Sequence, residues 1–358
     1  MRKIFKTIRF LLAIGILYLG FYPISLEPLA RESPAHPGMD GAFKVNELLA
    51  QTQIIKTTAG LGPEAIVRDS LNKFYSGLEN GEIIQFDPNG NNQKVLGNTG
   101  GRPLGMKFAP NGWLIIADQK MGLIAMDSLG NFNTLLNEIE GTPIQFADDL
   151  VINKEGLIYF SDATQRHPIE IENEFWEQRP SGRIITYDLK TKKSKIILKD
   201  LFFPNGIALS EQEDYLIFSE TFGIEIKKYW LEGPKKGIVE IFNNELPGYP
   251  DNITYSNGTF WVAIPSQRAV TVEPLTTKPF LRAILLRLPN AVVQGAIPEP
   301  YAMVLGFDLD GNLKYNLQDP KGNFYYITSV LQVDNKLYLG SLKETGIGIY
   351  TLKQELND

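Results

Sequence analysis

The chain has 358 residues, 43% of them hydrophobic, and 35 basic against 41 acidic side chains give it a net charge of −6. This length permits either several ordinary domains or one large all-β unit, and the lack of a basic excess argues against nucleic acid as a partner. There is no cysteine, which excludes a disulfide framework, a thiolate metal site, a cysteine nucleophile and a lipid anchor carried on cysteine.

At the N-terminus, Arg2, Lys3, Lys6 and Arg9 precede an apolar run from Phe10 to Tyr22 that Pro23 closes. A basic flank followed by an apolar stretch reads as a signal anchor or a signal peptide. No small-x-small cleavage site follows, since the next residues are Ile24-Ser-Leu-Glu-Pro-Leu. Residues 1–24 are therefore expected to form an uncleaved membrane anchor with its basic end cytoplasmic. That orientation puts the rest of the chain on the periplasmic, extracellular or lumenal side, or in the medium if the segment is cleaved. Residues 25–45, rich in Pro and Gly and containing His36, read as a linker. Residues 46–358 form the folded body.

An internal repeat defines that body. A seven-residue string, apolar or aromatic in its middle, recurs as Asn72–Leu78, Gly112–Asp118, Gly156–Asp162, Asp214–Glu220, Gly258–Ile264 and Asn335–Ser341. Several copies end in a small or acidic residue. Their starts lie 40, 44, 58, 44 and 77 residues apart, a base period of about 40–45 that matches one four-stranded propeller blade. Hairpin signals precede the strings, as in Asn111-Gly112 and Asn257-Gly258, and further strands follow them. Six copies predict an all-β, six-bladed β-propeller. The strand around 52–57 is available to close the ring on the last blade. The two long spacings mark insertions, Ala163–Ser181 and Pro265–Tyr301.

Polar residues recur at one place, the start of the first strand of a blade. Counting back from each string gives Glu64, Leu104, Asp148, Asn205, Asp251 and Ser329. Glu64, Asp148, Asn205 and Asp251 would bring four oxygen donors to one end of the central channel. Three carboxylates meeting there would repel one another, and a hard cation relieves that repulsion. Oxygen donors without His or Cys suit calcium better than zinc.

The motifs Gly62-Pro-Glu64, Phe146-Ala-Asp-Asp-Leu150, Phe203-Pro-Asn-Gly-Ile-Ala-Leu-Ser210, Leu246-Pro-Gly-Tyr-Pro-Asp-Asn252 and Leu317-Gln-Asp-Pro320 resemble the strictosidine synthase-like branch of the calcium propellers. That branch includes the adipocyte plasma-membrane-associated type and is more distantly similar to paraoxonases and regucalcin/gluconolactonases. The resemblance implies calcium on Glu64, Asp148, Asn205 and Asp251, with Asn252 as a ligand or just behind the ligands. It also implies hydrolysis of a small ester or lactone, with Asp251, or alternatively Glu64, as base. Many relatives carry Asn at the position of Asp148. The family's amine-condensing members place a glutamate where this chain has Ser329, which argues against strictosidine synthesis itself. His167, in the first insertion, is a further catalytic candidate. Phe175 and Trp176 would wall a pocket or pack under their loop. Lys278–Leu288, with Lys278, Arg282 and Arg287, reads as a short amphipathic helix that serves as a lid, rests on a membrane or packs on a blade edge. The alternative to an enzyme is a membrane-anchored binding module in which calcium is purely structural.

Overall fold

Each of the six strings becomes the second strand of a four-stranded antiparallel sheet, and the turn chemistry around it sets the pairing. A computed structural model of the chain describes residues 1–297 and 299–353. Among the described residues there are six four-stranded sheets, the blades of a β-propeller. Blade 1 runs through Ile66–Arg68, Phe74–Gly77, Glu82–Phe86 and Lys94–Asn98. Blade 2 begins at Pro103–Phe108, blade 3 at Ala147–Ile152, blade 4 at Pro204–Leu209, blade 5 at Ile253–Ser256 and blade 6 at Ile327–Val333. These first strands touch one another in sequence, and that of blade 6 touches that of blade 1, so they line a closed ring. The N-terminal strand Gln53–Lys56 pairs antiparallel with Gly346–Thr351 and completes blade 6. The ring is thereby fastened by two distant parts of the chain, with Gln53–Lys56 as the outer strand of blade 6.

The string strands are the dry layer of each blade. Leu114–Asp118 and Tyr215–Glu220 are buried throughout, and Phe74, Phe160, Phe218 and Phe260 are fully enclosed. The acidic string ends have a structural task. Asp118 accepts hydrogen bonds from the backbone N–H groups of Arg102, Lys120 and Met121. Asp162 accepts from those of Gln145 and Phe146, and from Arg183 Nε. Glu220 accepts from the N–H of Phe202 and from Lys227 Nζ. Each carboxylate staples the loops around its string, satisfying donors that would otherwise be buried unpaired.

The chain divides into two compact units, and the smaller comprises Met1–Ser33, Ile169–Arg179 and Arg268–Pro298. Its helix α1, Arg2–Phe21, starts within the basic flank and is 20 residues long, with none of its residues buried. At 1.5 Å per residue this is about 30 Å, the hydrocarbon thickness of a bilayer. Pro23 ends it, holding Tyr22 extended. Helix α2 (Glu172–Glu177), α3 (Pro279–Leu285) and α4 (Asn290–Gln294) complete the unit. The first part of the expected linker is hydrogen-bonded inside it: Leu29 N–H donates to Glu177 O at 2.8 Å and Arg31 N–H to Thr276 O at 2.9 Å. Phe175 and Trp176 are buried and meet edge to face at 4.9 Å. They pack under their loop. Helix α3 departs from the amphipathic expectation, because Arg282 is its buried residue while Phe280 and Leu281 are exposed.

Candidate metal centre

Four of the six first strands carry a register shift at their start, between Pro103 and Gly105, Ala147 and Leu150, Pro204 and Ile207, and Ile327 and Ser329. A bulge takes a residue out of the ladder and re-aims its side chain. Leu104 and Thr328 are released singly, Asp148 together with Asp149, and Asn205 together with Gly206. In blades 1 and 5, Glu64 and Asp251 stand two residues ahead of the strand. Five of the positions found by counting thus sit at one end of the first strands; in blade 6 the count falls one residue late, because Ser329 is paired in the ladder and Thr328 is the residue released. All of these residues are buried.

The backbone there is held by the neighbouring blade. Ser161 Oγ donates to Asn205 O at 2.8 Å and accepts from Asp149 N–H. Ser219 Oγ donates to Asp251 O at 2.8 Å, and Thr221 Oγ1 to Pro250 O at 2.7 Å. Ser329 Oγ donates to Glu64 O. Asp149 points elsewhere: its Oδ2 accepts from Ile207 N–H at 3.0 Å and stitches blade 3 to blade 4. Close approach also requires glycine. A Cβ on Gly340 would lie 1.7 Å from Glu64 O, and one on Gly206 2.5 Å from Asp251 O.

While the backbone is fully tied, the side-chain oxygens are not. Glu64 Oε2, Asn205 Oδ1, Asp251 Oδ1 and both side-chain polar atoms of Asn252 are buried with no hydrogen-bond partner. Buried polar atoms of a native protein are normally paired, so acceptors left open at one place fit a cation. Among the described residues no three His, Cys, Asp or Glu side chains are arranged to hold a metal by themselves. A cation here therefore depends on the amide oxygen of Asn205 as well as the carboxylates, a mixed all-oxygen set of the kind calcium accepts.

The charges agree with that reading. Burial pushes the Glu64 carboxyl up to about 7, against the opposing pull of Arg102. Burial, then Glu64 and Asp251, raise Asp148 well above the usual carboxylate range. Burial and Glu64 do the same to Asp251, partly offset by a hydrogen bond from Asn205. Without a cation, the three acids cannot all be charged at low cost.

Arg102 was not singled out by the sequence reading. Its guanidinium reaches Glu79 Oε1 at 3.2 Å and comes within 3.9 Å of Glu64 Oε2. The serines were also missed, although Phe-Ser-Asp in blade 3 and Phe-Ser-Glu in blade 4 repeat them one place before the acidic string end. His167 lies in the loop after the string of blade 3, half-buried, with its backbone N–H donating to Thr164 Oγ1. A cavity of about 220 Å³ is lined by residues of the first strands, from Ile207 and Ile253 to Lys107, Leu209, Ser256 and Gln332.

Comparison with known proteins gives a consistent pattern. Residues 148–234 match the strictosidine synthase family model, and residues 41–86 match the strictosidine synthase-like N-terminal model. Protein strictosidine synthase-like 10 of Arabidopsis thaliana is 32% identical over 349 residues, 89% of this chain and 92% of the relative. Adipocyte plasma membrane-associated protein of Rattus norvegicus is 30% identical over 364 residues, 92% of this chain and 93% of the relative. Among solved structures, a gluconolactonase from Xanthomonas campestris superposes with a TM-score of 0.63 at 15% identity, covering 93% of this chain and 99% of that one. A regucalcin from Agrobacterium tumefaciens, described as a calcium-binding protein, gives 0.61 at 14% identity, with 84% and 93% coverage. At such identities these two establish the propeller fold alone.

Proposed function

Because the chain belongs to the strictosidine synthase-like family, we propose that it is a calcium-dependent hydrolase of small esters or lactones, tethered to a membrane by α1 with the propeller on the non-cytoplasmic side. The observation that carries this reading is the set of buried, unpartnered oxygens on Glu64, Asn205 and Asp251 at one end of the channel. Glu64, Asp148, Asn205 and Asp251 would hold the ion, with Asn252 beside them. Calcium bound there supplies a Lewis acid that polarises the substrate carbonyl.

The protein's own groups divide the remaining work. Asp251 is the better base: among the described residues no basic side chain pairs with it, and its backbone carbonyl is pinned by Ser219. It takes the proton of the attacking water at its carboxylate. Glu64 has Arg102 3.9 Å from its Oε2, a cation that opposes the upward push of burial on its carboxyl, and a neighbouring cation suits a ligand more than a proton carrier. His167 is the reserve candidate, through its place on the loop that follows the blade 3 string. The glutamate of the amine-condensing relatives is replaced by Ser329, whose hydroxyl is committed to Glu64 O. This supports hydrolysis over strictosidine synthesis.

A second reading is a non-catalytic binding module in which calcium only bolts the ring, and the serine ties between neighbouring blades favour it. Turnover separates the two. The full-length protein, assayed on a panel of aryl esters, aliphatic lactones and phosphotriesters, is expected to hydrolyse at least one class in a calcium-dependent way. A folded, calcium-loaded protein that is inert across that panel would leave the binding-module reading standing.

A further inference from the structure

We propose that the smaller unit, Met1–Ser33 with Ile169–Arg179 and Arg268–Pro298, is a membrane-lying platform whose apolar side chains enter the headgroup–acyl boundary of the bilayer that α1 crosses. The inference rests on the reading of α1 as a membrane anchor and adds a second, lateral contact to it.

The first observation is that α3 is built inside out. Arg282 is only 2% exposed, and its guanidinium donates to Trp176 O at 2.8 Å, to Thr276 O at 3.1 Å and to Leu29 O. A buried arginine spent on three carbonyls binds the three chain segments of the unit together, and it fixes which way the helix faces. The side turned outward then carries Phe280 at 59% and Leu281 at 43% exposure. In water such an arrangement wastes the apolar residues of the helix. Ile169 at 88%, Val270 at 58% and Val292 at 49% add to the same unit's exposed apolar surface. Isolated exposed apolar residues need no explanation, but several on one small unit mark a contact surface.

The second observation identifies the occupant. Arg287 Nε donates to Tyr22 O at 2.6 Å, and Tyr22 is the residue that follows the last residue of α1. Arg179 Nε likewise donates to Glu27 O at 2.6 Å. A helix about 30 Å long places its end at the bilayer boundary, so a unit hydrogen-bonded to that end is held at the lipid surface. Acidic and basic residues are nearly balanced in this unit outside α1. The contact is therefore apolar insertion into a neutral lipid surface rather than attraction to anionic headgroups.

The absence of native cysteine makes the test direct. Full-length I169C, F280C and V292C, each labelled with an environment-sensitive fluorophore, are reconstituted into phosphatidylcholine vesicles. L71C and L129C, at exposed turns of blades 1 and 2, serve as controls. Co-flotation with the vesicles reports insertion of α1 independently. The expected result is flotation of all five, with blue-shifted emission and quenching by acyl-chain nitroxide lipids at 169, 280 and 292 only. Flotation with all five labels equally water-exposed overturns the platform while leaving the anchor intact. A protein that does not float overturns the anchor and the platform together.

Discussion

The hydroxyl of Ser219 donates a 2.8 Å hydrogen bond to the backbone carbonyl of Asp251, so the second strand of blade 4 fixes the turn that presents an acid in blade 5. Ser161 does the same for Asn205. Ring closure and site geometry are in this way one network: a displaced blade moves an oxygen donor.

Ser219→Ala leaves a buried carbonyl without its partner, a loss of about 1–3 kcal/mol. It should lower the denaturation midpoint and weaken calcium binding by about tenfold, or ~1.4 kcal/mol. Chemical unfolding and calorimetric titration of the same preparation check both. Unchanged calcium affinity in a destabilised protein would show that the hydroxyl serves only the fold.

Asp251→Asn keeps the volume and an oxygen donor but removes the base. The variant should fold, retain weakened calcium binding and lose catalysis by a factor of about 10² or more. His167→Gln should leave the rate within a few-fold. Full activity of the first variant, or collapse of the second, would move the base to Glu64 or to His167.

Removal of calcium should have a signature in pH. In the metal-free protein, burial pushes Glu64 up to about 7 and raises Asp148 and Asp251 above 3.8. Between about pH 4 and 7 the folded chain then binds more protons than the unfolded chain. Its stability accordingly falls as pH rises through that window. Calcium holds the carboxylates ionised, so the stabilisation it provides grows with pH. Thermal melts at pH 5 and 7.5, with chelator and with calcium, should show the calcium-dependent rise in Tm widening at the higher pH. A chelator effect that is absent at pH 7.5 would speak against a cation among these residues.

Gly340→Ala tests the close approach of blades 6 and 1. Its Cβ would stand 1.7 Å from Glu64 O, so the backbone bearing Glu64 must shift, at a cost of about 1–3 kcal/mol. Calcium affinity should fall with stability. At Gly112, where an added Cβ meets nothing within 4 Å but φ is +82°, the same change should cost stability alone, by about 1 kcal/mol.

The sequence by itself determined the propeller and the places of four buried polar residues at the starts of its first strands. The string recurs at blade spacing, its period follows from local strand and turn chemistry, and counting back seven to nine residues from it leads to Glu64, Asp148, Asn205 and Asp251. The tertiary structure decided what no offset encodes. Arg102 beside Glu64, and the serine hydroxyls on the carbonyls of the next blade, are contacts between residues of different blades, set by how the blades pack. It also separated acids that look alike in sequence: Asp162 and Glu220 spend their oxygens on backbone N–H groups, while Glu64 and Asp251 keep one open. The direction of Arg282 was likewise beyond the pattern of its helix. Three carbonyls from Leu29, Trp176 and Thr276 converge on it, and a guanidinium is buried wherever enough acceptors meet it, whatever its helical position would suggest.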